Sequence, residues 1–284
     1  METKMNVYAA WSLDADVRFH STSGGTFTEL AKVAIKQGYS VVGARYNSDN
    51  MVEHDIIDKV EDISLLRQSK YVQSDMKNIR GKMKGKKVMF VGSPCQCASV
   101  DADIKIDFVC RGANSPKAYK SYLKMLEAQY NSKITRVWFK NKTYGWHKFS
   151  TRVDFENGET YLKDRSRDLY MLGYIKHNLF IQEGCYKCKF KGFPRHSDIT
   201  LGDFWGVRKS LDVNKGTSLV FINTERGQKL FDSVKIYKAD ATLKEAVRQN
   251  PSIVQPPVKG EHADQFMELL EKYPFDECFR RCGL

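Results

Sequence analysis

The chain has 284 residues, 42% hydrophobic and 12% aromatic, a composition that supports one large core or two modest ones and excludes a disordered chain. No apolar run approaches the roughly 20 residues of a membrane span. The N-terminus, METKMNVYAAWSLDADV, lacks a long apolar stretch and carries acids early, so no secretory signal is expected and a cytoplasmic location is. There, seven cysteines read as ligands or buried thiols rather than disulfides. The net charge of +12 suits an anionic partner, but the bases are spread along the chain with no recognition motif, so nucleic acid is not the expected one.

In chain order, Asn6–Trp11 predicts a strand and residues 13–19 a polar loop. His20, Ser21, Thr22, Ser23, Gly24 and Gly25 then precede a helix. Its face is drawn by Phe27, Leu30, Ala31, Ala34 and Ile35, and Gly38 stands at its stop. Residues 39–46 form the next strand. A Ser/Gly loop entering a helix offers free N–H groups and close approach to an anion, though the same residues also serve as an ordinary cap. Residues 53–66 read as mixed and partly helical, and the six-base run at 77–87 as a solvated connection.

The apolar residues 88–91 predict a buried strand running into Gly92-Ser93-Pro94-Cys95-Gln96-Cys97. Residues 104–109 repeat the arrangement and end at Cys110-Arg111-Gly112, so cysteines follow two core strands, where open α/β sheets place their chemistry. Ser115-Pro116 starts a helix over 117–129, strands follow at 134–140 and 150–155, and Asn157-Gly158 turns to a strand at 159–162. Residues 168–180 read as helical. The stretch 185–207, CYKCKFKGFPRHSDITLGDFWGV, is the focus of the chain: two cysteines at i and i+3, a basic patch and a β-prone run. Alternation in that run puts Ile199 and Leu201 on a core face and Asp198 and Thr200 on a polar face expected to border the site. A strand at 218–223, helices at 224–231 and 242–248, an extended segment at 250–257 and an amphipathic segment at 261–272 complete the reading.

The fold class expected is α/β, with α+β as its alternative: a central mixed sheet flanked by helices, with a cysteine-rich region. Residues 1–87 would form an N-terminal α/β part carrying the loop, 88–240 the rest of the same core, and 241–284 a helical extension. On the residues alone, a Cys-x-x-Cys knuckle with two further cysteines suits zinc or an iron–sulfur cluster, zinc being the commoner four-cysteine structural site.

Several ordered pieces resemble one family. HSTSGGTF, VVGARY, SKYVQS, FVGSPCQ, DFVCRGANSP, CYKCKF…RHSDITLGDFWGV and NKGTSLVFINTERG are similar to elements of the coenzyme F420 hydrogenase/dehydrogenase beta subunits, over roughly residues 8–231. Ser93 stands where the family has Thr and Arg111 where it has His. The resemblance implies a flavoprotein holding FAD and a 4Fe-4S cluster. Its members reduce the deazaflavin coenzyme F420 or act on other small molecules, and many bacterial ones accompany polysaccharide-modifying enzymes. Because the first cysteine is Cys95, a short form is expected that lacks the N-terminal ferredoxin-like segment and draws electrons from a separate ferredoxin-like donor. A homo-oligomer is compatible with this reading.

On that resemblance the cluster ligands are Cys95, Cys110, Cys185 and Cys188; Cys97, two residues from Cys95, is either a substitute ligand, since strand residues at i and i+2 share a face, or a buried thiol, the preferred reading. Cys278 and Cys282, at i and i+4, either face together on a helix or stand as a frayed terminal pair. Ser21, Thr22, Ser23, Gly24 and Gly25, with Thr28 from the first helical turn, are assigned to FAD, and Asp198, Thr200, Gly202 and Asp203 to the cofactor's surroundings. Trp205 reads as core packing rather than a flavin stack. His147 and His177 are the candidate proton donors. The competing class is a non-enzymatic zinc module recognising nucleic acid or a protein.

Overall fold

The computed structural model describes residues 6–284. Eleven strands run in chain order as β1 (Asn6–Trp11), β2 (Ser40–Tyr46), β3 (Val52–Ile57), β4 (Val88–Gly92), β5 (Ile104–Phe108), β6 (Ile134–Asn141), β7 (Ser150–Phe155), β8 (Thr160–Asp164), β9 (Ile199–Asp203), β10 (Ser218–Ile222) and β11 (Tyr237–Ala241). Eight of them form a mixed sheet in the order β11-β1-β10-β9-β5-β4-β2-β3. Its centre, β2, β4, β5 and β9, is parallel, and antiparallel strands close both flanks. β6, β7 and β8 make a separate antiparallel meander. The fold is therefore α/β, with strands from both sides of residue 87 interleaved in one sheet.

The apolar central strands are buried on both faces, as parallel strands must be. On one face the helix Thr26–Lys36 lays Leu30, Ala31 and Ala34 against Val41, Met89, Ile106 and Val220. The meander packs with the helix Pro116–Tyr130 around an aromatic core that includes Tyr119, Tyr122, Phe139 and Tyr170. Asp168 is wholly buried there, accepting from Tyr122 Oη (2.7 Å), Tyr161 Oη (2.8 Å) and the Met171 N–H (2.8 Å). Each acceptor bond replaces one to water, which is what lets a carboxyl group sit in this core.

Several sequence expectations change. The stretch 53–66 is mixed and partly helical as expected, but its first part is the edge strand β3 and its helical part is confined to short turns over Val60–Asp62 and Ile63–Leu66. The loop at 13–19 contains a short helix, Ala15–Phe19, because Asp14 caps it by accepting from the Asp16 and Val17 N–H groups. The basic run at 77–87 is not wholly a solvated connection: a turn of helix, Ile79–Met83, buries Ile79 and Met83. The helix expected at 168–180 is broken into Leu169–Met171 and a wider turn over Leu172–Lys176, and Asn178 adopts a left-handed backbone. Cys278 and Cys282 do not fray: the helix Phe275–Arg281 carries Cys278 and Phe279 into the aromatic core, and Cys282 follows them.

Candidate functional site

The carboxyl ends of the four parallel strands open onto a cavity of about 800 Å³, within the usual range for small-molecule sites. Gly43 and Ala44 of β2, Gly92 at the end of β4, Phe108 at the end of β5 and Gly202 of β9 contribute to its wall. Two unlike surfaces contribute to its lining.

One is the loop between the helices Ala15–Phe19 and Thr26–Lys36. Its hydroxyls hold the loop together. Ser21 Oγ donates to the Val17 carbonyl (2.7 Å), Thr22 Oγ1 accepts from the Ser69 N–H (2.7 Å), and Ser23 Oγ reaches Ser218 Oγ (3.3 Å). The Gly24 N–H donates to Ser218 Oγ (3.0 Å), and the Gly24 carbonyl accepts from the Ser12 N–H (2.8 Å). A Cβ on Gly24 would stand 2.4 Å from the Ala10 carbonyl oxygen, so only glycine passes there. Gly25 is the N-cap residue, with φ of +89°, and no side chain caps the helix. The first N–H groups of a helix have no partner within it, so Thr26 and Phe27 bring uncapped donors to the cavity wall. Beneath the loop, Lys142 is buried and its ammonium donates to three carbonyls: Arg18 (2.5 Å), Ser23 (2.7 Å) and Lys215 (3.0 Å). Burial pulls its pKa down to about 7.

The other surface carries the cysteines. Cys95 sits in the first turn of the helix Pro94–Ser99, which begins with a capping box between Ser93 and Gln96; Ser93 Oγ lies 3.2 Å from Cys95 Sγ. Cys110 follows β5. Cys185 lies in the short helix Glu183–Tyr186, and its sulfur accepts from the Ala113 N–H at 3.4 Å. Cys188 follows it, and all four line the cavity. Two cations tie these segments together. Lys191 donates to the Cys110 and Ser252 carbonyls, and Arg111 donates to the Ile175 carbonyl (2.9 Å) and Asn178 Oδ1 (2.8 Å). The Cys110 thiol is pushed up to about 12, first by burial and further by Cys185, Cys95 and Cys188, while Lys191 opposes the shift. Cys185 and Cys188, far from Cys110 in sequence, thus share one cavity wall with it. Among the described residues, no three His, Cys, Asp or Glu side chains are gathered tightly enough for a single metal ion.

Cys97 points elsewhere. It and Cys95 lie on a helix rather than a strand, so two residues apart they diverge; Cys97 is fully buried beside Phe90 and Val100, and burial raises its thiol far above the ordinary range.

Ser21, Thr22, Ser23 and Gly25 line the cavity, and Gly24 braces their loop from behind. Thr28 is buried away from it. Gly202 and Asp203 line the wall, but Asp198 and Thr200 do not. Asp198 instead accepts from the Lys105 N–H (2.8 Å), Thr224 Oγ1 (2.6 Å) and Arg226 Nε (3.1 Å), anchoring the start of the helix Glu225–Asp232. Thr200 takes a bond from Asn223 Nδ2 (3.0 Å). The polar face of β9 therefore meets structural partners, and the cavity meets the strand's carboxyl end. Neither His147 nor His177 lines the cavity. His147 is paired on the surface with Asp212 (2.9 Å), and burial together with Lys176 and His262 lowers His177. Trp205 stacks on Trp146 at 4.4 Å, outside the cavity.

The structure adds residues that the sequence did not single out. Asp203 is held by Lys140 Nζ (2.5 Å) and Trp146 Nε1 (3.2 Å). His54 of β3 lines the cavity, stacked on Phe90 at 5.3 Å; its Nε2 donates to the Val91 carbonyl (3.2 Å), and Nδ1 is buried without a partner. Burial, opposed by the Val91 bond, holds its pKa down to about 4, so the ring is neutral at pH 7. Its signal was the alternation of Val52, His54 and Ile56. Lys70 also lines the cavity, from the SKYVQS segment.

Two family models match the sequence: the coenzyme F420 hydrogenase/dehydrogenase beta subunit N-terminal region over residues 7–79, and its C-terminal region over residues 85–246. The chain belongs to this family. Its members are oxidoreductase subunits, and the two regions meet here in one sheet. No curated protein matches. A chain in the xenon-derivatised F420-reducing nickel–iron hydrogenase complex of Methanosarcina barkeri is similar in structure, with a TM-score of 0.57 and 18% identity, covering 97% of this chain and 90% of that one. At that identity the likeness is one of fold. Among the described residues, no helix is long and apolar enough to cross a membrane.

Proposed function

We propose that this family member is a flavin- and iron–sulfur-dependent oxidoreductase, passing electrons between a redox partner or a deazaflavin-type carrier and a small organic substrate. The observation that carries the reading is a single cavity lined both by an uncapped, glycine-built helix start and by four cysteines from three chain segments. The donor set fits both groups: the uncapped N–H groups at the helix start for the phosphates of FAD, and thiols for the irons of a 4Fe-4S cluster. When bound, FAD exchanges hydride for single electrons and the cluster passes electrons singly.

The chain's own residues account for the rest. The Ser21–Gly25 loop and the start of the helix after it receive the phosphates, with Lys142 fixing the loop by its three carbonyl bonds. Cys95, Cys110, Cys185 and Cys188 bind as thiolates, so loading releases protons from thiols that burial otherwise keeps protonated at Cys110 and Cys185. The Lys191 ammonium favours the thiolate forms. Cys95 is exposed, which gives a separate ferredoxin-like donor an approach to this wall. Coenzyme F420 is a candidate substrate on the family relation.

A single zinc ion would draw its sulfurs to roughly 3.8 Å of one another, given Zn–S bonds of about 2.3 Å. An iron–sulfur cube spreads its thiolates over four different irons, so the two groups ask different spacings of the same four cysteines. Anaerobic purification followed by absorbance spectroscopy and quantitation of flavin, iron and sulfide tests the reading. The expected result is flavin bands over a broad brown shoulder. A colourless protein with stoichiometric zinc overturns it.

A further inference from the structure

Beside the main cavity lies a smaller one of about 230 Å³. Arg67, Gln68 and Lys70 line both, so this short segment is the partition between them. The small pocket is lined as well by His20, Tyr46 and Arg136. Its lining contains no Asp or Glu. His20 is already paired with Asp16, but Arg67, Lys70 and Arg136 form no ion pair among the described residues. Arg67 Nε is buried without a hydrogen-bond partner, and desolvation of an unsatisfied guanidinium donor is costly unless something fills it.

The partition is also shaped against its own preference. Gln68 has φ of +73°, a left-handed backbone that a long side chain rarely adopts, and such strain persists where surrounding contacts impose it. Those contacts are visible: Gln68 Nε2 donates to the His20 carbonyl (3.1 Å), and Lys70 Nζ donates to the Arg67 carbonyl (2.6 Å). The next residue, Ser69, bonds Thr22 of the proposed flavin loop.

We propose that this side pocket is an anion subsite, holding a carboxylate or phosphate group of the substrate on Arg67, Lys70 and Arg136 while the rest of the substrate reaches across the partition into the main cavity. The substrate class is thus an anionic small molecule with its charged group set apart from its reacting atoms. The subsite deepens the oxidoreductase reading and rests on it for the word substrate; the binding of the anion itself does not. Burial brings Lys70 down to about 7, so an arriving anion would settle it in the ammonium form.

The test titrates inorganic phosphate and succinate into the protein as purified with its cofactors, by calorimetry, for the wild type and for Arg67→Gln and Arg136→Gln. The flavin content and thermal midpoint of each are measured alongside. The expected result is saturable binding of at least one anion. Each variant weakens it by ~10-fold, the loss expected of one charge-assisted contact, at unchanged flavin content and midpoint. Preference for phosphate or for succinate names the group. Wild-type affinity in both variants overturns the proposal. So does loss of flavin in step with the charge, which would give the cations to the cofactor. A wild type that binds the anion but holds no flavin would overturn the oxidoreductase reading and leave the subsite standing.

Discussion

The two walls of the main cavity are built in opposite ways. The loop wall is local: Ser21–Gly25 are contiguous, and the Ser21 and Thr22 hydroxyls and the Gly24 N–H are already bonded to Val17, Ser69 and Ser218, which leaves the uncapped N–H groups at the helix start open. It is rigid before any ligand arrives. The cysteine wall is assembled at long range from the ends of β4 and β5 and from the segment 185–188, and its thiols stay protonated where burial dominates, as at Cys110 and Cys185. A preformed anion cradle and a loosely gathered thiol set suit different kinds of guest. The first suits a large ligand bound by shape; the second suits an inorganic group whose insertion completes the fold locally.

The largest expected effect comes from breaking the cysteine wall. Cys110→Ser and Cys185→Ser should each lose most of the iron while leaving flavin content within about twofold. Cys97→Ser should keep its iron, because that thiol faces Phe90 and Val100 rather than the cavity. Iron and flavin assays on the anaerobic protein decide this. Full iron retention in both ligand variants would separate these cysteines from the metal.

Gly24→Ala strikes the other wall. The added methyl would lie 2.4 Å from the Ala10 carbonyl oxygen and 2.8 Å from the Ser218 nitrogen, both backbone atoms with little room to move. Overpacking of this kind costs roughly 1–3 kcal/mol. The variant should lower the denaturation midpoint and release flavin while iron stays bound. Equal loss of both would show that the two walls are one cooperative unit.

The contrast also explains what the sequence disclosed. Contiguous features were legible: the HSTSGG loop, the apolar strand at 88–91 and the strand–cysteine junctions all appear where periodicity and turn chemistry put them. Features fixed by partners were not. β11, with the sequence YKADA, has little strand propensity of its own and is held by pairing with β1 and by the Trp11–Tyr237 stack at 3.9 Å. Asp168 caps the start of the 168–180 segment, but the helix widens over Leu172–Lys176, where Gly173 packs against Phe180 with no space for a Cβ, and Asn178 ends it with a left-handed backbone. Asp198 and Thr200 have the right alternation to face the cavity, but Lys105, Asn223 and Thr224 claim them.

His54 lines the same cavity from β3 and gives a pH test. Its pKa is about 4 folded against 6.5 in the unfolded chain, because burial disfavours the charged ring. Between those values the unfolded state holds the extra proton. Stability contributed by the neutral ring is therefore complete above pH 6.5 and is lost as pH falls toward 4, by up to about 3 kcal/mol at 1.36 kcal/mol per unit. His54→Gln can still donate to the Val91 carbonyl but cannot titrate. Denaturant unfolding of the two proteins from pH 7.5 to 4.5 should show the wild type losing more stability than the variant. Parallel curves would mean that the ring reaches solvent when protonated.

The smallest effect is expected at His147. Its ring is exposed, its partner Asp212 is a surface carboxylate, and neither lines the cavity. Exposed ion pairs contribute about 0–1 kcal/mol, since water screens the charges and both side chains must be ordered to meet. His147→Gln should hold the midpoint, the iron and the flavin, and reoxidation of the reduced flavin by any accepted substrate should proceed at a rate within about threefold of wild type. A general acid contributes roughly 100-fold or more to a rate. A fall of that size, with cofactors intact, would bring His147 to the reacting atoms during turnover and restore it as the proton donor.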